Sequence, residues 1–280
     1  MSAPHRAGVL GSPIGHSLSP TMYRAGFAAC SMVDWSFDAI DCDAEHLPTL
    51  VSGLTPEWSG LAVTMPGKEA AARFASGRSD RVQRLGVANT LVRRGDSWWA
   101  ENTDVDGVLG SLDAAGVEPN GPVLLIGGGG TARAVVAVLA EMQWDGPLIL
   151  AGRRPESTVI VKNLAATLGL FATQTGMTAE HIAPLASTMA LVASTVPAGA
   201  ADHLADVLAA VPAVFDVIYH PWPTALAAAG QRGRITVTGL DMLLHQALRQ
   251  FELVTGVPAP ADALRAALRT AVGSDLPLLL

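Results

Sequence analysis

Lys68 is the residue of this chain best placed to do chemistry. It follows the apolar run Leu61-Ala-Val-Thr64 through Met65-Pro66-Gly67, and it opens Lys68–Phe74, which has helical spacing. An ammonium at a helix start opposes the helix dipole, and a lysine so placed suits general acid–base work. The simpler reading, a solvated helix-start lysine, is slightly disfavoured by that opposition. Two polar clusters share an Asn-Thr pair: Ala88-Asn89-Thr90 and Asn102-Thr103-Asp104. Singly, each reads as a turn or a cap; jointly they border one unit and point to a polar site. Ser17 and Ser19 stand two residues apart, so in an extended segment both hydroxyls face one way and suit a carboxylate. Read alone, Ser19 before Pro20 is a helix N-cap. His245 and Gln246 lie in the apolar helical stretch Leu240–Gly256, so at least one of them faces solvent or a site.

A second chemistry is written at Gly127-Gly128-Gly129-Gly130-Thr131-Ala132. An apolar strand, Val123–Ile126, enters this run and an alanine-rich helix leaves it. Glycines let the backbone approach a pyrophosphate, and the helix start offers N–H groups and a positive dipole end. The spacing is G-x-G-x-x-A through Gly127, Gly129 and Ala132. A site that prefers NAD places an acid about 20 residues further on, at the end of the second strand. Here that strand, Leu148–Ala151, ends in Gly152-Arg153-Arg154, and the first acid is Glu156. Two guanidinium groups there suit a 2′-phosphate, and so NADP.

The elements that must position these groups follow from periodicity. Ala7–Leu10, Trp35–Ile40, Leu61–Thr64, Ala88–Arg93 and Ser97–Ala100 read as strands. Pro20–Ala29 reads as a helix capped by Ser19, and Ala44–Gly53 as one capped by Asp43. This first α/β unit is complete by about Asn102. Asp104–Ala115 has one apolar helical face. Val123–Ile126, Leu148–Ala151, Met189–Ala193, Ala213–Val217 and Ile235–Thr238 then alternate with helices, which predicts a doubly wound parallel sheet. Leu240–Gly256 and Pro260–Ala271 close the chain as helices.

Bulk properties exclude several classes. Half of the 280 residues are hydrophobic, 15% are charged, and the formal charge is −7. There is no basic block of five residues, which argues against nucleic acid and anionic membranes as partners. Ile182–Ala201 is the longest uncharged stretch, but its prolines, Gly199 and hydroxyl residues make it a poor spanning segment. Cys30 and Cys42 read as free thiols of a reducing cytoplasm, and the start shows no signal-peptide pattern. There is no histidine spacing for a metal and no G-x-S-x-G elbow. A homodimer is the assembly considered; the sequence leaves oligomeric state open.

Taken in order, Ser17-Leu-Ser-Pro20, Val63-Thr64-x-Pro66-x-Lys68, Ala88-Asn-Thr90, Asn102-Thr-Asp104, Gly127–Gly130, Asp216-x-x-Tyr219-x-Pro221 and Gly239-Leu-x-Met-Leu-x-x-Gln246 resemble the shikimate dehydrogenase family, in its actinobacterial, NADP-dependent form. The resemblance covers nearly the whole chain. It implies two α/β domains with an active-site cleft between them: a substrate domain, 1–103 plus 239–280, and a Rossmann-like NADP domain, 104–238. It implies reversible, NADPH-dependent reduction of 3-dehydroshikimate to shikimate, a step of aromatic amino-acid (chorismate) biosynthesis. Lys68 and Asp104 would be catalytic. Ser17 and Ser19 would hold the substrate carboxylate. Thr64, Asn89, Asp104 and Gln246 would bond the ring hydroxyls, and Tyr219 would touch the substrate side of the nicotinamide. Along the cofactor it places Gly127, Gly128, Gly129, Gly130, Thr131, Ala132, Arg153, Arg154, Thr195, Val217, Gly239 and Met242. Two positions depart from the family pattern: Ala62 and Gly152, where relatives place Asn; Gly152 is expected to loosen the adenosine-phosphate pocket. The alternatives are an NAD-dependent quinate/shikimate dehydrogenase, disfavoured by Ser19 and the arginine pair, and a non-catalytic nucleotide-binding regulator, disfavoured by Lys68 with Asp104.

Overall fold

The computed structural model describes residues 4–154, 156–273 and 278–280. Contacts divide the chain into two compact units. One runs to Gly107 and resumes at Leu244; the other runs from Val108 to Leu243.

The first unit is built from β1 (His5–Gly11), α1 (Ser19–Ala29), β2 (Trp35–Asp41), α2 (Leu47–Ser52), β3 (Trp58–Val63), α3 (Lys68–Phe74), β4 (Gly77–Arg78), α4 (Asp80–Leu85), β5 (Thr90–Arg94) and β6 (Ser97–Glu101). α5 (Asp104–Ala114) follows, and the unit division falls inside it. The sheet order is β2-β1-β3-β5-β6-β4. β1 runs parallel to β2 and β3, whereas β5 runs antiparallel to β3 and β6. The β5–β6 reversal needs only Gly95-Asp96, and Gly95 supplies the positive φ, +60°, that so tight a turn requires.

The second unit contains β7 (Val123–Ile126), α6 (Gly130–Glu141), β8 (Leu148–Gly152), α7 (Glu156–Thr167), β9 (Ala172–Gly176), α8 (Ala179–Ala186), β10 (Leu191–Ser194), β11 (Ala213–Asp216), α9 (Ala225–Ala228) and β12 (Ile235–Thr238). α10 (Gly239–Thr255) and α11 (Ala261–Val272) end the chain's helices, and the second unit division falls inside α10. Every strand pair in this unit is parallel, in the order β12-β11-β10-β7-β8-β9. The chain winds outward from β7 through β9, returns to the middle, and winds the other way from β10. The crevice of such a sheet lies at the carboxyl ends of the two central strands, where the winding reverses. β7, β8 and β10 are buried throughout, as strands covered on both faces must be.

Two expected caps differ. α1 begins at Ser19 itself, with Leu18 at the cap position, so Ser19 is not the N-cap. Ser17 Oγ accepts the Ser19 N–H at 3.4 Å, and Met22 N–H closes the first turn on Leu18 O at 3.2 Å. α2 starts at Leu47 rather than Ala44. Asp43 instead holds a preceding turn, its Oδ1 accepting the N–H groups of Glu45 and His46.

In the first unit α1 packs on α10 and α11 through a glycine. A Cβ on Gly26 would lie 2.7 Å from Phe251 Cε2 and 2.9 Å from Leu264 Cδ1. Tyr23 stacks on Phe37 at 4.1 Å beside Phe251, so this close approach completes an aromatic core. Gly26→Val is therefore expected to destabilise the protein by roughly 1–3 kcal/mol, the usual penalty of overpacking. Thermal unfolding measures it; an unchanged melting temperature would contradict the packing described.

Candidate active site and cofactor site

The polar site of the first unit is assembled by three element ends. β3 leads through Thr64 into a turn, closed by Gly67 N–H on Thr64 O at 2.9 Å, that delivers Lys68 to the start of α3. Ala88 N–H donates to Lys68 O at 2.9 Å, which fixes the approach to β5 against that helix start. Asn102 Oδ1 accepts the Asp104 N–H at 3.0 Å while its own Nδ2 donates to Val87 O at 3.0 Å, so Asn102 sets where α5 begins.

At the meeting point Lys68 Nζ lies 2.6 Å from Asp104 Oδ2. The Asp104 side chain is 1% exposed and that of Lys68 18%. Asn89 Nδ2 is 3.0 Å from Asp104 Oδ1 and 3.2 Å from Gln246 Oε1. Asn89 Oδ1 accepts from Thr103 N–H at 2.7 Å and from Thr90 Oγ1 at 2.9 Å. Thus Lys68, Asp104, Asn89 and Gln246 form one hydrogen-bonded group. Ser17, Ser19 and Thr64 are not bonded into it: Ser17 meets Ser19 N–H, and Thr64 is exposed with its N–H on Leu10 O. Three members escaped the sequence reading. Thr90 and Thr103 stand there only as parts of the Asn-Thr motifs, and Gln250, which donates to Asn89 O and Thr90 Oγ1, was missed, although its i+4 spacing from Gln246 signals a shared helix face. Ala62 sits on β3 within the aromatic cluster, an apolar position.

The second unit holds the glycine loop at the winding reversal. Gly127 has φ +118°. A Cβ on Gly128 would overlap Ser157 O, so only glycine lets the loop pass the start of α7. Gly129 caps α6 without a side-chain bond, which leaves N–H groups of the first turn, at Gly130, Thr131 and Ala132, for an anion. Thr195 follows β10 and donates both N–H (2.8 Å) and Oγ1 (2.9 Å) to Ile126 O, tying the two central strand ends together. A cleft of about 400 Å³ is lined by Gly127, Gly128, Gly152, Arg153, Arg154 and Ser157, among others. Both arginines are exposed there. The space a side chain at 152 would need is occupied by Ser157 Oγ and Thr158, and Ser157 Oγ is anchored on Arg154 O at 2.6 Å. Gly152 thus admits Ser157 into the wall of the cleft.

Further round the same unit, Asp216 ends β11 and is 3% exposed. Its Oδ1 accepts Ile218 N–H at 3.2 Å, and its Oδ2 accepts Thr224 Oγ1 at 2.8 Å. One carboxylate therefore pins both ends of the loop that carries Tyr219. Tyr219 is half-buried, and burial raises its phenol above the ordinary value. Gly239 is needed where α10 starts, since a Cβ there would overlap Val217 O. Thr238 and Asp241 form a reciprocal cap at this start: Asp241 Oδ2 accepts Thr238 N–H at 2.8 Å, and Thr238 Oγ1 accepts Asp241 N–H at 3.3 Å. Met242 is buried just beyond it. Among the described residues there is no cluster of His, Cys, Asp or Glu able to hold a metal, and no helix long and apolar enough to cross a membrane.

A doubly wound unit with a glycine phosphate loop, joined to an α/β unit that carries a lysine–aspartate pair, defines a dinucleotide-dependent oxidoreductase of two-unit build. Residues 9–91 match the family described as "Shikimate dehydrogenase substrate binding domain", and residues 239–269 match "Shikimate 5'-dehydrogenase C-terminal domain". The shikimate dehydrogenase (NADP(+)) of Methanocella arvoryzae is 35% identical over 274 residues, 95% of this chain and 98% of that protein. The crystal structure of Mycobacterium tuberculosis shikimate dehydrogenase is similar with a TM-score of 0.86 and 43% identity, covering 95% of this chain and 99% of that one. A Thermus thermophilus shikimate 5-dehydrogenase, solved with NADP(H) and shikimate, is similar with a TM-score of 0.82 and 28% identity, covering 95% and 99%. The chain belongs to the shikimate dehydrogenase family.

The pinned Tyr219 loop has a pH signature. Burial raises the Asp216 carboxyl above its ordinary value, against the opposing bonds from Thr224 and Ile218. The folded protein thus keeps this proton at pH values where the unfolded chain has lost it. Stability from this group falls as pH rises from about 3.9, the ordinary aspartate value, through the raised folded value, and is level above. The melting temperature of Asp216→Asn relative to wild type should therefore climb across that window and then flatten. A pH-independent difference would show that the Asp216 carboxyl is not perturbed.

Proposed function

We propose that this chain catalyses the reversible reduction of 3-dehydroshikimate to shikimate with NADPH, a step of aromatic amino-acid biosynthesis. The observation that carries this reading is the Lys68–Asp104 pair at 2.6 Å, held within a hydrogen-bonded set with Asn89 and Gln246. The first unit supplies the substrate groups. Ser17 and Ser19 hold the carboxylate, and Thr64, Asn89, Asp104 and Gln246 take the ring hydroxyls. The second unit supplies the cofactor groups: the glycine loop with Thr131 and Ala132 for the pyrophosphate, Arg153 and Arg154 for the 2′-phosphate, and Thr195, Val217, Tyr219, Gly239 and Met242 toward the nicotinamide. The fit to NADP rests on the loop's side-chain-free approach and on two exposed guanidinium groups in one cleft. The cofactor, when bound, supplies or accepts the hydride.

The protein's own part is proton transfer and charge stabilisation. In the reducing direction the substrate carbonyl oxygen gains negative charge. Lys68, as an ammonium, donates a proton to that oxygen, and in the oxidising direction takes it back. Asp104 aims Lys68 through Oδ2 and is itself aimed by Asn89 through Oδ1. Small-molecule partners and a cytoplasmic location agree with the formal charge of −7, the lack of a basic block and the two free thiols.

The direct test is shikimate-dependent NADP⁺ reduction followed by absorbance; no reduction would refute the reading. Lys68→Ala should lower kcat by roughly 10²–10⁴-fold with a modest change in the shikimate KM. A folded Lys68→Ala enzyme with near-normal kcat would remove Lys68 from the chemistry. Arg153→Asp should raise the NADP⁺ KM by roughly tenfold to a hundredfold, the worth of a charge-assisted hydrogen bond, and narrow the preference over NAD⁺. Wild-type efficiency with NAD⁺ equal to that with NADP⁺ would instead support the quinate/shikimate alternative.

A further inference from the structure

Gln250 lies one helical turn beyond Gln246 on α10 and is 5% exposed. Its Nε2 donates to Thr90 Oγ1 at 2.7 Å and to Asn89 O at 3.1 Å, and its Oε1 accepts from Tyr23 O–H at 3.2 Å. The donors and acceptors can be followed hydrogen by hydrogen. A main-chain carbonyl only accepts, so Asn89 O requires the NH₂ side of Gln250 and turns Oε1 toward Tyr23. Tyr23 is wholly buried, and burial holds its phenol well above the ordinary value, so it retains the proton it donates. Thr90 has one hydroxyl hydrogen. That hydrogen goes to Asn89 Oδ1 at 2.9 Å, the shorter contact than Thr103 Oγ1 at 3.4 Å, while a lone pair of the same oxygen accepts from Gln250. Asn89 Oδ1 also accepts Thr103 N–H at 2.7 Å. A main-chain N–H only donates, so with Thr103 N–H and the Thr90 hydroxyl on its oxygen the Asn89 amide has one orientation, which presents Nδ2 to Asp104 Oδ1, Gln246 Oε1 and Thr103 Oγ1. Reversing that amide would set two oxygens against each other at Asp104.

We propose that Gln250 is a positioning residue for the reaction: acting through Thr90, it fixes the Asn89 amide and thereby aims Asp104 and Gln246. This rests on the activity proposed above. Gln250 touches neither substrate nor cofactor. It serves the substrate side alone, since each of its partners belongs to the first unit. The aromatic cluster of Tyr23, Phe37 and Phe251 is the rigid support from which the chain of bonds starts.

Steady-state kinetics of wild type, Gln250→Met, Thr90→Val and the double variant test this, each protein first shown to be folded by thermal unfolding. Met keeps the length of Gln without its hydrogen bonds. Gln250→Met should lose roughly tenfold to a hundredfold in kcat/KM for shikimate, the scale of a small misplacement of reacting groups. The NADP⁺ KM should stay at the wild-type value, and the double variant should be no worse than Thr90→Val alone. A purely structural Gln250 would lower the melting temperature and leave kcat/KM untouched. Unchanged kcat/KM in the folded variant, or losses that multiply in the double variant, overturn the proposal. If Gln250→Met does not fold, Gln250→Glu replaces it: an oxygen would then take Thr90's hydrogen away from Asn89, with the same loss expected and the same result overturning. A wild type inactive with shikimate and NADP⁺ overturns the activity and this inference together; an active wild type with unaltered variants overturns the inference alone.

Discussion

The carboxylate of Asp104 is enclosed at 1% exposure, and much of the first unit is arranged to make that tolerable. A buried ion pair persists only if its geometry is good and its remaining lone pairs are met; removing one partner commonly costs about 3–5 kcal/mol. Here Oδ2 meets Lys68 and Oδ1 meets Asn89. Meeting both conditions fixes where three segments end. α3 must begin at Lys68, the approach to β5 must pass its backbone at Ala88, and α5 must begin at Asp104, where Asn102 holds the N–H and the helix dipole favours an acid. The backbone bonds that form these element ends are thus the same bonds that place Lys68 and Asp104.

The second unit obeys a different constraint, the close passage of bare backbone. Gly128 runs against Ser157 O, and Gly239 against Val217 O, with no room for a side chain at either. The first closeness exposes the N–H groups at the start of α6; the second seats α10 against the strand end that leads to Tyr219. Thr195 stitches the ends of β7 and β10 at the reversal of winding. Gly152 belongs to the same logic. The space a side chain there would need is taken by Ser157 Oγ and Thr158, and Ser157 lines the cleft.

Much of this was legible in the sequence, for reasons that can be named. β7 and β12 follow their apolar runs residue for residue, and α3 starts where Pro66-Gly67 ends the turn. Asn89, Asp104 and Lys68 were recoverable because polar groups at strand and helix ends stand out against a hydrophobic chain. β9 was not: it is an edge strand, Ala-Thr-Gln-Thr-Gly, and carries no apolar alternation. α4, at six residues, is too short for a periodic signal, although Ser79 caps it. Ser19 misled because the N-cap preference of serine before proline is a local rule; the helix begins one residue earlier than the rule places it, and the Met22 N–H that a Ser19 cap would serve bonds Leu18 O instead. Gln250 was overlooked because a glutamine among apolar helix residues looks like a solvated neighbour until the strand it faces is known.

In the proposed reaction Lys68 and Asp104 work as one unit. A double-mutant cycle on kcat, with Lys68→Ala, Asp104→Ala and the combination, measures this most directly. Residues that act together are grossly non-additive in such a cycle. The double variant is expected to be no slower than the slower single variant. Losses that multiply, with each residue contributing its full effect in the other's absence, would contradict it.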